Sequence, residues 1–164
     1  MHMRLYKCIC TIIKETLDMT ENLPRPEECH CFAVRSAARH VSQYYDRYLA
    51  TAGLRTTQFS ILAKLKRLGP LTINELARQM VMDRTTLGRN IKPLERDGLI
   101  RIEPAQSDRR AKELRLTKSG EKQLVVAFEA WSRAQAGFEN TFGPRHAAEL
   151  RRVLRDVVTT EFRP

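Results

Sequence analysis

Seven cationic or uncharged polar side chains crowd the stretch from Arg84 to Arg96: Arg84, Thr85, Thr86, Arg89, Asn90, Lys92 and Arg96. Guanidinium forks and carboxamides match the paired donors and acceptors that base edges present in a groove. Lysines, arginines and hydroxyls also hold phosphate oxygens. A little further on, Asp108, Arg109 and Arg110 form a second charged cluster. Bond-breaking chemistry finds no comparable grouping. There is no Gly-rich phosphate loop, no His-Glu-x-x-His pair and no readable Ser/His/Asp set, so neither catalysis nor a cofactor is expected. The chemistry available is recognition of a polyanion.

The elements that must carry these residues are legible around them. Asp83 suits the N-cap of a helix, and at 100° per residue Leu87, Ile91 and Leu94 gather on one side of it. Thr85, Arg89, Lys92 and Arg96 point the opposite way, with Thr86 on the flank. Pro93 removes the hydrogen bond to the Arg89 carbonyl, which predicts a kink or a tightened last turn before Gly98 stops the helix. Upstream, Thr72 and Glu75 fit a capping box, with Leu71 and Leu76 placed as a hydrophobic staple. Ile73, Leu76, Ala77 and Met80 then face a core. Downstream, Ile100, Ile102, Leu114 and Leu116 alternate with charged residues, predicting a two-stranded hairpin that turns between Pro104 and Arg110.

Helix, turn, basic helix and hairpin in this order make a winged helix-turn-helix, with 72–97 as the helical pair and the second helix destined for a major groove. In that frame Arg89 suits a bidentate guanine contact, and Asn90 or Thr86 suits adenine or a thymine methyl. Arg84, Thr85, Lys92 and Arg96 are assigned to phosphates. Arg109 and Arg110 on the wing suit an adjacent narrow minor groove, with Asp108 orienting an arginine fork. The partner expected is double-stranded DNA.

Charge placement agrees. The chain has 164 residues, 42% of them apolar, and a net charge of +10. Between Arg55 and Lys122 stand 16 Lys/Arg against 8 Asp/Glu, whereas the rest has 13 against 11. Charge gathered in one segment points to a polyanion. The plainer alternative is a winged helix that docks proteins, its basic residues serving solubility. No apolar run reaches the roughly 18–20 residues of a spanning helix, so no membrane partner is expected. The stretch Cys8–Ile13 is short for a signal segment, which leaves a cytoplasmic location as the expectation.

The remaining chain reads as helices flanking this unit. One spans about Cys29 to Ala52 with Phe32, Val41, Tyr45, Tyr48 and Leu49 on its apolar side. Another spans 56–68 with Phe59, Leu62, Leu65 and Leu68. A long helix follows Thr117 to about Phe142, carrying Leu124, Val125, Phe128, Trp131 and Phe138. A last one opens at Gly143-Pro144 with Ala147, Leu150, Val153 or Leu154, Val157 and Val158. Residues 1–28 are a poorly patterned arm ending in Leu23-Pro-Arg-Pro26.

Over about residues 29–162 the chain resembles the MarR (multiple antibiotic resistance regulator) family of transcription factors. The resemblance rests on Asp108-x-Arg110-x-x-x-Leu114-x-Leu116-Thr117-x-x-Gly120 and on Leu94-Glu-Arg-Asp-Gly-Leu-Ile100. It implies a mainly α fold with a small β-hairpin wing and N- and C-terminal dimerisation helices. The division it implies is an arm at 1–28, a dimerisation helix at 29–54, the winged helix-turn-helix at 55–117 and C-terminal dimerisation helices at 118–164. It implies a homodimer on a pseudo-palindromic operator, Arg110 as the wing arginine and Asp108 as its orienting partner. A small-molecule effector, of unknown identity, is implied as well, commonly one that releases a repressor from DNA. Apolar surface on the first and last two helices exceeds what one winged domain covers, which fits burial in a symmetric pair.

Four cysteines remain: Cys8, Cys10, Cys29 and Cys31. Cys31-Phe-Ala-Val34 resembles the reactive-thiol segment of the family's organic-peroxide-sensing branch. There one supporting tyrosine falls on Tyr45, and the other two fall on Arg35 and Thr56. A thiol-based redox regulator using Cys31 is therefore an alternative, set against idle thiols. Zinc across both Cys-x-Cys pairs is disfavoured, because on a helix such residues point about 200° apart. No metal site is expected.

Overall fold

The structure, a computed structural model, describes residues 25–105 and 111–162. Its contacts fall into two units divided between Val41 and Ser42. On the N-terminal side are a 3-10 turn, Pro26–Glu28, and the start of helix α1, His30–Leu49. Cys29 between them is extended (φ −80, ψ 113), and its carbonyl accepts the Ala33 N–H at 3.0 Å. It is therefore the residue from which α1 begins. Phe32 and Val34 are exposed on this part.

The larger unit holds the rest of α1, then α2 (Thr56–Leu68), α3 (Ile73–Met80), α4 (Arg84–Arg96), α5 (Lys118–Phe142) and α6 (Pro144–Thr159). Three strands join them: β1 (Leu71–Thr72), β2 (Ile100–Pro104) and β3 (Lys112–Leu116), in the order β1-β3-β2 and antiparallel throughout. The hairpin expected from the alternating residues is thus widened by a third, two-residue strand. Leu71 pairs with Leu114 and Thr72 with Glu113. No helix among the described residues is long and apolar enough to cross a membrane.

The helix ends explain the layout. Thr72 accepts the Glu75 N–H at 3.2 Å, and the Glu75 carboxylate takes the Thr72 N–H at 2.8 Å, closing the capping box. Asp83 accepts the Thr86 N–H at 2.7 Å and starts α4. That helix continues through Pro93, whose own carbonyl still accepts the Asp97 N–H at 2.9 Å. Tightening comes one step later. Gly98, at φ 69, donates to Glu95 at 3.0 Å and Leu99 donates to Leu94 at 2.9 Å, the paired bonds of a Schellman stop. α3 ends in the same pattern, Val81 donating to Arg78 and Met82 to Ala77. There the left-handed residue is Val81, at φ 52, where a β-branched side chain is strained.

The core of this unit is a continuous apolar seam. Phe59, Ile61, Leu62 and Leu65 of α2 are buried, as are Leu76, Leu87, Ile91, Leu94, Ile100 and Leu114. The outer end of α2 departs from the expected pattern. Leu68 is exposed, because the helix runs out past the core before Gly69.

The long helix departs further. Its buried residues are Gly120, Ala127, Ala130 and Ala134, while Val125, Val126 and Phe128 are exposed. Small side chains let α5 approach its neighbours closely, so of the bulky apolar residues that periodicity singled out Val125 and Phe128 face outward, while Leu124, Trp131 and Phe138 are half-buried. Gly120 lies where a Cβ would overlap the Leu99 carbonyl oxygen and the Leu116 side chain. Thr117 locks the same spot, its hydroxyl donating to the Gly98 carbonyl at 2.7 Å and accepting the Gly120 N–H at 3.0 Å.

Candidate nucleic-acid interface

Leu87, Ile91 and Leu94 are buried, which fixes the rotation of α4 about its own axis. The opposite side, with Arg84, Thr85, Arg89, Lys92 and Arg96, is exposed, and so is Thr86. Fixing a helix by one face leaves the side chains of the other aimed but unburied, which suits a surface that must enter a groove.

The cations on this face are not equivalent. Among the described residues Arg84, Arg89 and Lys92 stand in no ion pair. Arg96 pairs with Asp97 at 2.9 Å, which holds it at the helix end. Asn90 is half-buried and donates one amide hydrogen to the Thr86 carbonyl at 2.9 Å, leaving the other and its Oδ1. At the mouth of α4, hydrogen bonds from the Thr86 hydroxyl and then its N–H hold the Asp83 carboxyl below the usual range. The cap is therefore charged at neutral pH, beside the positive end of the helix.

The wing is held in register by its flanks. Ile100 pairs with Leu116, Ile102 with Leu114 and Pro104 with Lys112, and Ala105 donates to Ala111 at 2.8 Å across the tip. Along one side Glu103 is shared by Arg101 (2.9 Å) and Arg115 (3.4 Å), and Arg115 also meets Glu113 at 3.1 Å. Those strand arginines are thus occupied. Asp108, Arg109 and Arg110 lie outside the described residues.

Features that local sequence did not announce support this frame. The Asp46 carboxylate accepts the Thr56 N–H and hydroxyl, each at 2.7 Å, and so caps α2 from ten residues away. Gln123 of α5 donates to the Ala52 carbonyl. Tyr45 is buried and donates to Gln135 at 2.6 Å, and burial pushes its phenol up from the ordinary value. Cys29 and Cys31 are free and exposed. No cluster of three or more metal-ligating side chains occurs among the described residues.

A groove of about 730 Å³ runs between α2 and α5. Its floor is apolar, with Phe59, Ala63, Leu124 and Phe128, and its rim carries Lys66, Arg67, Lys118 and Lys122 against one carboxylate, Glu121. Glu121 meets Lys66 at 2.7 Å. Trp131 stacks on Phe59 and on Phe128, with ring centroids 5.8 and 5.6 Å apart, beside this floor.

Fold and exposed basic helix together define the class, a winged helix-turn-helix built around a DNA-reading helix. Comparison with known proteins narrows it. The MarR family profile matches residues 54–112. The transcriptional activatory protein BadR of Rhodopseudomonas palustris is 29% identical over 65% of this chain and 62% of its own. YwoH of Bacillus subtilis, an HTH-type transcriptional regulator, is 32% identical over 54% of this chain and 64% of its own. The chain thus spans somewhat under two thirds of the length of the curated relatives it matches. The M. tuberculosis transcriptional regulator MosR, solved in complex with DNA, is 36% identical over 81% of this chain and all of its own, with a TM-score of 0.68. This chain belongs to the MarR family of winged-helix, DNA-binding transcriptional regulators.

Proposed function

We propose that this protein binds a pseudo-palindromic operator as a homodimer and acts as a ligand-responsive repressor in the cytoplasm. Helix α4 enters the major groove, with Arg89 on a guanine and Thr86 or Asn90 on neighbouring bases, while Arg84, Thr85, Lys92 and Arg96 take phosphates. The 106–110 tip carries Arg109 and Arg110 to the flanking minor groove, with Asp108 orienting the fork. The observation that carries this reading is the two-faced α4, anchored by buried Leu87, Ile91 and Leu94 and exposing its cations together. That the similar regulator MosR has been solved in complex with DNA supports DNA as the partner.

Dimerisation follows from surface that one chain leaves uncovered. Val153, Leu154, Val157 and Val158 on α6, and Phe142 at the end of α5, are exposed together. A symmetric mate buries such patches against each other. That role falls to 29–54 and 118–164, with 55–117 reading DNA. The groove between α2 and α5 suits the effector, since it joins the DNA-reading part to the long helix and pairs an apolar floor with a cationic rim.

Nuclease protection across the region upstream of the gene tests the operator. Two protected half-sites about one helical turn apart are expected. Absence of any protected segment would leave the winged unit as a protein-docking module. Arg89→Ala is expected to weaken binding by about 1–3 kcal/mol and to relax preference at one position per half-site. Equal weakening on every sequence would make Arg89 a phosphate clamp instead. Arg110→Ala is expected to flatten the salt dependence of binding.

A further inference from the structure

Six of the seven glycines have a reason inside the chain. Gly53, Gly69, Gly98 and Gly143 hold positive φ, which suits glycine. At Gly120 a Cβ would overlap the Leu99 carbonyl oxygen, and at Gly137 the Tyr44 hydroxyl. Gly88 has neither reason. It lies within α4, its φ is not positive, and a Cβ added there would meet nothing within 4 Å among the described residues. In a helix interior alanine is the most favourable residue and glycine the least after proline, because glycine gives up the most backbone freedom. Gly88 therefore weakens the helix that carries the exposed cations and makes no contact that requires it.

Its neighbours show what the missing side chain leaves room for. Residues three and four positions away on a helix adjoin it, here Arg84, Thr85, Ile91 and Lys92. Ile91 is buried and marks the inner edge, whereas Arg84, Thr85 and Lys92 are exposed. Arg84 and Lys92 stand in no ion pair among the described residues. The nearest acid on that side of α4, Glu95, is seven residues further on, about 10 Å along the axis. Gly88 is thus a notch flanked by two uncommitted cations and a hydroxyl, a setting that suits an anion.

We propose that Gly88 is the seat of a DNA phosphate, where the backbone of one strand lies against the bare helix between Arg84, Thr85 and Lys92. A methyl in the notch would stand where the phosphate oxygens approach these donors. Gly88 is then a positioning residue that sets how deeply α4 enters the groove, while Arg89 beside it meets a base. The inference deepens the assignment of α4 to the operator and rests on it.

The test combines thermal melting of Gly88→Ala and Gly88→Leu with their binding to two duplexes, the segment protected upstream of the gene and one of mixed sequence. Gly88→Ala is expected to raise the melting temperature by about 2–4 °C. It is expected to weaken binding to both duplexes by roughly ten-fold. Gly88→Leu should bind more weakly still, because a seat closes further as the side chain grows. Preference among single-base variants of the protected segment should stay the same, since phosphates carry no sequence. A lower melting temperature for Gly88→Ala overturns the proposal by giving the glycine a role in the fold. Equal losses for alanine and leucine overturn it in favour of helix flexibility, and a changed preference at one base pair overturns it in favour of a base edge. Arg89→Ala, measured alongside, separates the two readings. If it weakens binding and neither Gly88 variant does, the operator assignment stands and the seat alone is wrong. If none of the three weakens binding, α4 does not face DNA and both fall.

Discussion

Helices α4 and α5 solve opposite problems with the same backbone. In α4 the large apolar residues are inside and the cations outside. In α5 Ala127, Ala130 and Ala134 are inside, and Val125, Val126 and Phe128 remain outside. The first helix is finished as part of one chain, and its outer face offers charge. The second is unfinished, and its outer face offers hydrocarbon that water disfavours. One chain therefore presents two unlike surfaces, one of charge and one of hydrocarbon.

The largest expected effect tests this contrast directly. Leu87→Ala removes a fully buried side chain from α4 and is expected to lower stability by about 2–5 kcal/mol, independently of protein concentration. Val153→Ala with Val157→Ala, on the exposed α6 line, is expected to stay within about 0.5 kcal/mol per site for the isolated chain. Its effect should appear instead as weaker self-association. Denaturant titrations at two concentrations, with sedimentation, separate the outcomes. A concentration-independent loss of several kcal/mol from the valine pair would show that α6 packs within its own chain.

Next in size is the junction where the wing meets α5. Gly120→Ala places a methyl against the Leu99 carbonyl, a backbone atom that cannot swing aside. A loss of about 1–3 kcal/mol is expected by thermal melting, and it should reach the wing through Thr117. An unchanged melting temperature would mean that this close approach is relaxed in solution.

What could be read in advance divides along the same line. The Thr72–Glu75 box, the Asp83 cap and the two faces of α4 depend on residues within a turn of one another, so spacing alone revealed them. On α5 the period was legible and the sidedness was not. Valine and phenylalanine mark an apolar stripe, but periodicity does not say whether the cover comes from the same chain or another. The alanine seam was hidden because small residues give little signal even when they make the closest contacts. The Asp46 cap on α2 and the β1–β3 pairing join residues far apart in sequence, where no local pattern could announce them. On the surface proposed to meet DNA the wing tip is the part still carried by sequence, since Asp108, Arg109 and Arg110 fall outside the described residues.

The turn between α3 and α4 holds a smaller test. Val81 sits at φ 52 and is largely exposed, so its side chain brings strain and little packing. Glycine removes the strain but adds freedom to the unfolded chain, and the two effects partly offset. Val81→Gly is expected to raise stability by roughly 0.5–1 kcal/mol and to leave operator affinity within about two-fold. If stability rises while affinity falls well beyond that, the left-handed valine stiffens the turn that aims α4, and the reading helix depends on more than its buried face.

The smallest expected effect concerns the charge at the start of α4. Folded Asp83 releases its proton more readily than it does in the unfolded chain, because the Thr86 hydroxyl and N–H stabilise the carboxylate. Its contribution is therefore whole above the ordinary aspartate value of about 3.9 and disappears as pH falls through the lower folded value. Asp83→Asn keeps an acceptor for the Thr86 N–H and removes the titration. The difference in melting temperature between wild type and Asp83→Asn should be level from about pH 5 to 7 and shrink below about pH 4. A difference that stays constant into acid would assign the cap to its hydrogen bond alone. The anionic charge at the entrance of the reading helix would then be incidental to the fold, and the contrast between a charged α4 and an apolar α5 would rest on the outward cations only.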